Sequence, residues 1–253
     1  MLLAVLALMV CPAKLASGQE EGRGERAAAE VSIDLGSHYV WRGLRLSEGL
    51  VSQASLDGEY RGFGAGVWSN YDPREYPIES GSRRRITETD VTLWYGGTWG
   101  PGRATGGLIY YVQRGAPDTA ELFAAYELDA PLAPSATLFV DVDEGDGAFL
   151  LLAARHSVPL SGAAALDLGV EAGLNLGNAA MGTGEDGEAF TGPYHAEIWA
   201  GGSVAIGRGV ALAPRLAVSF PLSSRAGDAV AWASYDGETR TCVYASLGLT
   251  AAF

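Results

Sequence analysis

Beyond residue 30 the apolar residues of this chain recur with a period of two. Leu166, Leu168, Val170, Ala172, Leu174 and Leu176 fall on one side of an extended segment, with Asp167, Gly169, Glu171, Gly173 and Asn175 on the other. The last segment repeats the pattern, setting Val243, Ala245, Leu247, Leu249, Ala251 and Phe253 against Cys242, Tyr244, Ser246, Gly248 and Thr250. Successive side chains of a strand point to opposite faces, so this period marks strands with one apolar face. No apolar run after residue 30 is long enough to cross a membrane as a helix, which takes roughly 18 residues or more. The alternation predicts further strands over 31–41, 51–60, 63–70, 87–99, 104–112, about 121–128, 136–142, 148–156, 196–206 and 210–220, about twelve in all.

The connections alternate as well. Arg61-Gly62, Gly100 to Arg103, 129–135, 157–165 and Gly207 to Gly209 are short and rich in Gly or Pro, whereas 71–86, 177–194 and 221–240 are long. Asp143 to Gly147 breaks the rule by being short. Tight turns at one end and long loops at the other are the habit of an outer-membrane barrel. An apolar face on every strand also needs cover, which is a second sheet in a sandwich and lipid in a membrane barrel. A barrel must close, because an open edge in hydrocarbon leaves backbone groups unpaired.

The expected fold is therefore all-β: a closed antiparallel up-and-down transmembrane barrel of about twelve strands. Residues 1–18 read as a cleaved signal peptide. An apolar run from Leu2 to Val10 precedes Ala16 and Gly18, small residues three and one before a cut at Gln19. Residues 19–30 read as a flexible lead-in and 31–253 as the barrel. Cleavage removes Cys11 and Lys14, leaving Cys242 as the one cysteine, so no intramolecular disulfide is available.

The polar face of these strands would line the lumen. It carries Asp57, Glu59, Glu88, Asp90, Glu121, Glu127, Asp167, Glu171 and Glu197, with Arg155 and Arg215 as the cations. This acidic excess predicts cation preference in a water-filled pore. The whole chain is also acidic, with 17 Lys+Arg against 30 Asp+Glu. That leaves no basic face for nucleic acid. Glycine, at 35 of 253 residues, suits tight turns and small lumenal positions. The aromatics Trp41, Tyr60, Trp68, Tyr71, Trp94, Tyr95, Trp99 and Tyr194 fall mostly near strand ends, where an interfacial girdle accounts for them; a sugar-stacking path is the alternative.

No enzymatic or metal chemistry stands out. His156 and Ser157 are adjacent and so face opposite ways in a strand, no nucleophile elbow is present, and nothing selects His38 or His195 as a base beside Ser32 or Ser203. No Cys/His spacing suits zinc. The acidic stretches Asp143 to Asp146 and Glu185 to Glu188 lack a full calcium-loop pattern. Arg83-Arg84-Arg85 reads as an external-loop cluster, able to pair with Glu75 and Glu79 or to meet anionic headgroups. No cofactor is expected.

The segment Ser37-His38-Tyr39-Val40-Trp41-Arg42-Gly43-Leu44-Arg45-Leu46-Ser47 resembles the opening motif of the TorF-type porin family of proteobacteria, a family of conserved hypothetical outer-membrane barrels. Tyr39, Trp41, Arg42, Gly43 and Ser47 carry that likeness. Gly66, Trp68, Ser69 and Asn70 resemble the family's next strand, which usually has one more residue between Trp and Ser. Glu88, Asp90, Tyr95, Gly96 and Tyr110-Tyr111 resemble the strands that follow. The resemblance covers about residues 31–130 and implies an outer-membrane barrel with a pore role and no catalytic residues. Phe253, an aromatic ending an alternating strand, resembles the assembly signal that bacterial barrels carry. The expected partners are outer-membrane lipid, the barrel-assembly machinery through the last strand, and small polar or cationic solutes. A closed barrel serving as scaffold, adhesin or lipid-interacting protein, a secreted soluble sandwich, and a barrel enzyme are the other readings. Arg42 is expected near the top of the first strand, steering a lumenal ligand or bridging lumenal carboxylates.

Overall fold

A computed structural model describes residues 27–74, 85–183 and 188–253. The proposed signal peptide, most of the lead-in, Glu75, Glu79, Arg83, Arg84 and the stretch from Glu185 to Gly187 lie outside these residues.

Twelve strands close into one antiparallel barrel. They are β1 (Ala28–Gly36), β4 (Val51–Tyr60), β5 (Phe63–Tyr71), β6 (Ile86–Trp99), β7 (Gly102–Gln113), β8 (Thr119–Leu128), β9 (Ser135–Asp141), β10 (Ala148–Ser161), β11 (Ala164–Leu176), β12 (Thr191–Gly207), β13 (Val210–Pro221) and β14 (Cys242–Ala252). Each pairs with its sequence neighbour. β1 closes the ring by pairing with both β4 and β14, in a register that sets Ile33 opposite Leu249 on one side and Ala54 on the other. Every wall strand therefore has two partners and no edge is left open.

Alternation sorts the wall into two surfaces. Outward positions are exposed and apolar: Val31, Ile33 and Leu35 on β1, Val91, Leu93 and Tyr95 on β6, Leu166, Leu168 and Val170 on β11, Val243, Leu247 and Leu249 on β14. A polypeptide in water does not leave so continuous an apolar surface uncovered. Tight turns at Arg61-Gly62, Gly100-Pro101 and Arg208-Gly209 share one end of the barrel with the start of β1 and the finish of β14. That end is called the turn end here, and the opposite one the loop end.

The first strand departs from expectation. β1 starts earlier than residue 31, at Ala28, and stops at Gly36 rather than at Trp41. Ser37 ends it by bonding β14 twice, its N–H to the Ala245 carbonyl (2.8 Å) and its Oγ accepting from the Ala245 N–H (3.0 Å). The chain then turns into the lumen as a two-stranded hairpin, β2 (Val40–Trp41) and β3 (Leu44–Arg45). The reason lies in the sequence of 39–44: Val40 and Trp41 are consecutive and both buried, so neither face of this segment could be given to the outside. Two further pieces lie at the loop end, a short 3-10 turn at Ala179–Met181 and helix α1 (Ser224–Ala233). Ser223 caps α1 by accepting the Ala226 N–H at 3.1 Å, and Ala226, Ala229 and Val230 form its buried stripe.

Candidate functional site: the filled lumen

The loop end of the lumen is packed solid. Tyr39, Trp41 and Leu44 of the hairpin region meet inward residues of the wall, among them Trp68, Ile109, Tyr111, Phe139, Phe149 and Tyr194, with Met181 and the buried stripe of α1 closing the top. Ile109 and Phe149 have no exposed surface at all. Inward side chains along a water-filled pore would be wetted; these are dry.

The hairpin tip is built on Arg42-Gly43, both at positive φ (48° and 85°), which is the two-residue turn that matches the twist of a hairpin. Glycine at 43 has a second reason. A Cβ there would sit 3.0 Å from the Cβ of His195 and 3.4 Å from Oγ of Ser219, so the tip backs onto β12 and β13. From the same tip Arg42 reaches across to the far wall. Its Nη1 and Nη2 donate to Oε1 and Oε2 of Glu121 at 2.8 and 2.7 Å. Tyr111 adds a hydroxyl bond to Oε2 of the same carboxylate at 2.6 Å. The guanidinium carbon lies 4.6 Å from the ring centroids of Trp41 and Phe139 and 4.7 Å from that of Phe149. Only 1% of the Arg42 side chain and 2% of the Glu121 side chain is exposed. Arg42 thus sits in the lumen rather than near the top of the first strand, and of its two expected roles the structure shows the bridging one.

The other motif residues divide between the plug and the wall around it. Tyr39 is fixed at both ends, its N–H to Oγ of Ser47 (2.7 Å) and its hydroxyl to Oε2 of Glu88 (2.7 Å), while its ring packs on Trp68 at 5.5 Å. Ser47 in turn donates to the Gly49 carbonyl at 3.0 Å. Asn70 accepts from Gln53 at 3.2 Å and donates to Thr87 at 2.7 Å, and Ser69 pairs with Thr89 at 3.0 Å. Gly66 leaves room on the inner wall for the Asp57 side chain. Phe253 lies just past β14, with its N–H on the Ala29 carbonyl at 2.9 Å and most of its side chain exposed.

All eleven lumen candidates occupy inward positions, but they divide into two environments. Glu88, Asp90, Glu121 and Glu197 are buried at the loop end, with Glu171 beside the buried His195, whose Nε2 lies 3.4 Å from its Oε1. Glu197 takes a bond from the Tyr244 hydroxyl at 2.6 Å and another from Arg215, whose guanidinium covers Trp199. Asp57, Glu59, Glu127, Arg155 and Asp167 lie toward the turn end and stay partly exposed. There Glu59 meets Arg103 at 3.4 Å and Glu127 meets Arg155 at 3.0 Å.

Four inward Asp, Glu or Arg residues lie outside the lumenal set read from the sequence: Glu30, Asp34, Arg103 and Asp141. Glu30 and Arg103 fall just outside the strand bounds read from the alternation, and Asp34 lies on the inward side of the first strand. Asp141 organises the β9–β10 turn, taking the N–H groups of Asp143 and Gly145 at 3.0 Å each and the Thr119 hydroxyl at 3.0 Å. The aromatics also divide. Tyr60, Tyr71, Tyr95 and Trp99 face outward, where a girdle requires them, but Trp41, Trp68, Trp94 and Tyr194 point inward; Trp94 bonds Glu59 at 3.3 Å. His156 faces outward and Ser157 inward, and His38 has Ser37 as its partner at 3.2 Å. Arg85 bonds the Tyr71 hydroxyl at 3.1 Å. Among the described residues no group of three or more His, Cys, Asp or Glu could hold a metal ion.

No family model and no curated protein matches this sequence. Among solved structures it is similar to the translocator domain of the autotransporter NalP from Neisseria meningitidis, at 13% identity over 93% of this chain and 90% of that one, with a TM-score of 0.45. It is also similar to the NanC porin, at 8% identity, 89% and 99% coverage and a TM-score of 0.49. A third is the outer-membrane expressed OmpT of Vibrio cholerae, at 8% identity, 90% and 97% coverage and a TM-score of 0.41. The likeness is one of barrel architecture.

Proposed function

We propose that the protein is an outer-membrane channel of the porin class whose resting state is closed, with the β2–β3 hairpin as a displaceable plug. The observation that carries this reading is the buried, bidentate Arg42–Glu121 pair at the loop end of the lumen. A buried ion pair is a poor choice for a permanent seal, because apolar residues of similar volume often hold as well or better. It is a good choice for a joint with one defined seat. The apolar outer wall supports placement in lipid, and the resemblance of residues 39–47 to the TorF-type family supports the outer membrane of a proteobacterium. The last strand with Phe253 would then be what the assembly machinery reads. Beneath the plug the inward charges remain acidic in excess, so an opened lumen passes small polar solutes and cations in preference to anions. The scaffold or adhesin reading is favoured by one thing, the dryness of the plug seat.

Fractionation and transport separate these readings. The full chain should partition with the outer membrane and migrate faster on a gel before boiling than after. In proteoliposomes the intact barrel should pass small cations slowly, and a variant lacking residues 38–46 should pass them at least ten times faster. Recovery as a soluble periplasmic protein would end the membrane reading. Equal, negligible uptake by both barrels would favour the scaffold.

A further inference from the structure

The environment of Arg42 is a complete receptor for a guanidinium ion. The carboxylate of Glu121 meets the fork of the guanidinium with two parallel bonds, the Tyr111 hydroxyl fixes that carboxylate from behind, and aromatic faces of Trp41, Phe139 and Phe149 surround the planar cation. Carboxylate forks and aromatic faces are the two features that distinguish guanidinium from a compact ammonium or a metal cation. Four of these five residues belong to the wall strands β7, β8, β9 and β10, so they stay in place when the hairpin leaves; only Trp41 goes with it.

We propose that the seat of Arg42 is a guanidinium-recognition site that the first loop occupies in cis, and that a solute carrying a guanidinium group takes the same seat and thereby holds the plug out. The part that concerns opening rests on the plug reading above; the recognition part does not. Free arginine is the simplest solute of this class. It has to compete with a tethered side chain, whose effective concentration is of order millimolar or higher, so displacement in the intact barrel takes roughly ten-fold more solute than binding to an emptied seat.

The test is chemical rescue of the folded, lipid-reconstituted full chain carrying Arg42→Ala. Guanidinium chloride should raise its unfolding temperature with a midpoint on the order of millimolar, within reach of a ligand of four heavy atoms. Sodium chloride at equal ionic strength should not. The double variant R42A/E121Q should not respond to guanidinium. If R42A refolds poorly, the yield of its fast-migrating gel band becomes the readout, restored by guanidinium and not by sodium. Equal response to both salts, or an undiminished response in R42A/E121Q, would overturn the site. In planar bilayers R42A should conduct with or without guanidinium, and the intact barrel should be opened by free arginine at concentrations above those that rescue R42A. An R42A barrel that is thermally rescued but never conducts leaves the site standing and sinks the channel. One that conducts but shows no thermal response to guanidinium, beside an intact barrel that arginine does not open, leaves the channel standing and sinks the site.

Discussion

The two halves of the lumen are built from the same alternating strands and end up as different solvents. At the loop end Glu121 and Arg42 are almost wholly excluded from water; at the turn end the Glu59–Arg103 pair keeps about 40% of each side chain exposed. Both halves offer inward carboxylates, but at the loop end the hairpin from the first loop packs with inward apolar residues of the wall, such as Ile109, Phe139 and Phe149, and with α1, and together they change the medium around those carboxylates. A charge pair at the loop end is therefore a structural joint, whereas one at the turn end is a wetted lining that screens and exchanges with solvent.

Breaking the joint should have the largest effect. Replacing Arg42 by Ala leaves Glu121 buried without its cation, a change that typically costs about 3–5 kcal/mol. The expected outcome is unseating of the hairpin rather than loss of the barrel. The heat-modifiable gel shift should persist while residues 38–46 become cleavable by added protease. Gly43→Leu attacks the same tip without touching charge. A side chain at positive φ against His195 should cost on the order of 1–3 kcal/mol and give the same protease sensitivity to a smaller degree. In the other half, Glu59→Gln should shift stability by less than about 1 kcal/mol. Its effect should appear only in a barrel already opened by hairpin deletion, as weaker cation preference in a reversal-potential measurement.

The smallest effect is expected at the outer surface of the plug. Asp236 accepts from the Thr239 hydroxyl and from the N–H groups of Thr239 and Glu238, and faces Arg45; these bonds, the hydroxyl first, hold its carboxyl below the usual range. A depressed carboxylate contributes stability that is present above its unfolded value, near pH 4, and is lost as pH falls toward the folded one. Limited proteolysis of the 222–241 loop should therefore be constant from pH 8 down to about 4 and increase only below it. Asp236→Asn should abolish that acid dependence.

This contrast marks where sequence reading succeeds. Period two is a property of the wall itself, so strand number, the inward or outward side of the alternating apolar and charged residues and the tight turns were all legible from Leu166 to Leu176 and its repeats. The filling of the lumen was not. Tyr39, Val40 and Trp41 alternate poorly but adequately, so they read as an extension of β1; only their burial on both faces shows that they left the wall. Trp68, Trp94 and Tyr194 sit near strand ends as girdle residues do, and sequence position alone does not say which side they take. Helix α1 carries a local signal of its own. Ser223 as cap, with Ala226, Ala229 and Val230 at helical spacing, lies inside a stretch otherwise read as a long loop. The motif from Tyr39 to Ser47 was recognised as a unit, but what the unit does required seeing Arg42 meet Glu121 across the barrel.

That the hairpin keeps the lumen closed is checked by single-channel recording in planar bilayers. The intact barrel is compared with one in which residues 38–46 are replaced by a short Gly-Ser link. A nearly silent intact protein is expected, and a steady, cation-selective conductance once the hairpin is gone. An intact barrel that conducts steadily at the same level as the deletion would contradict it.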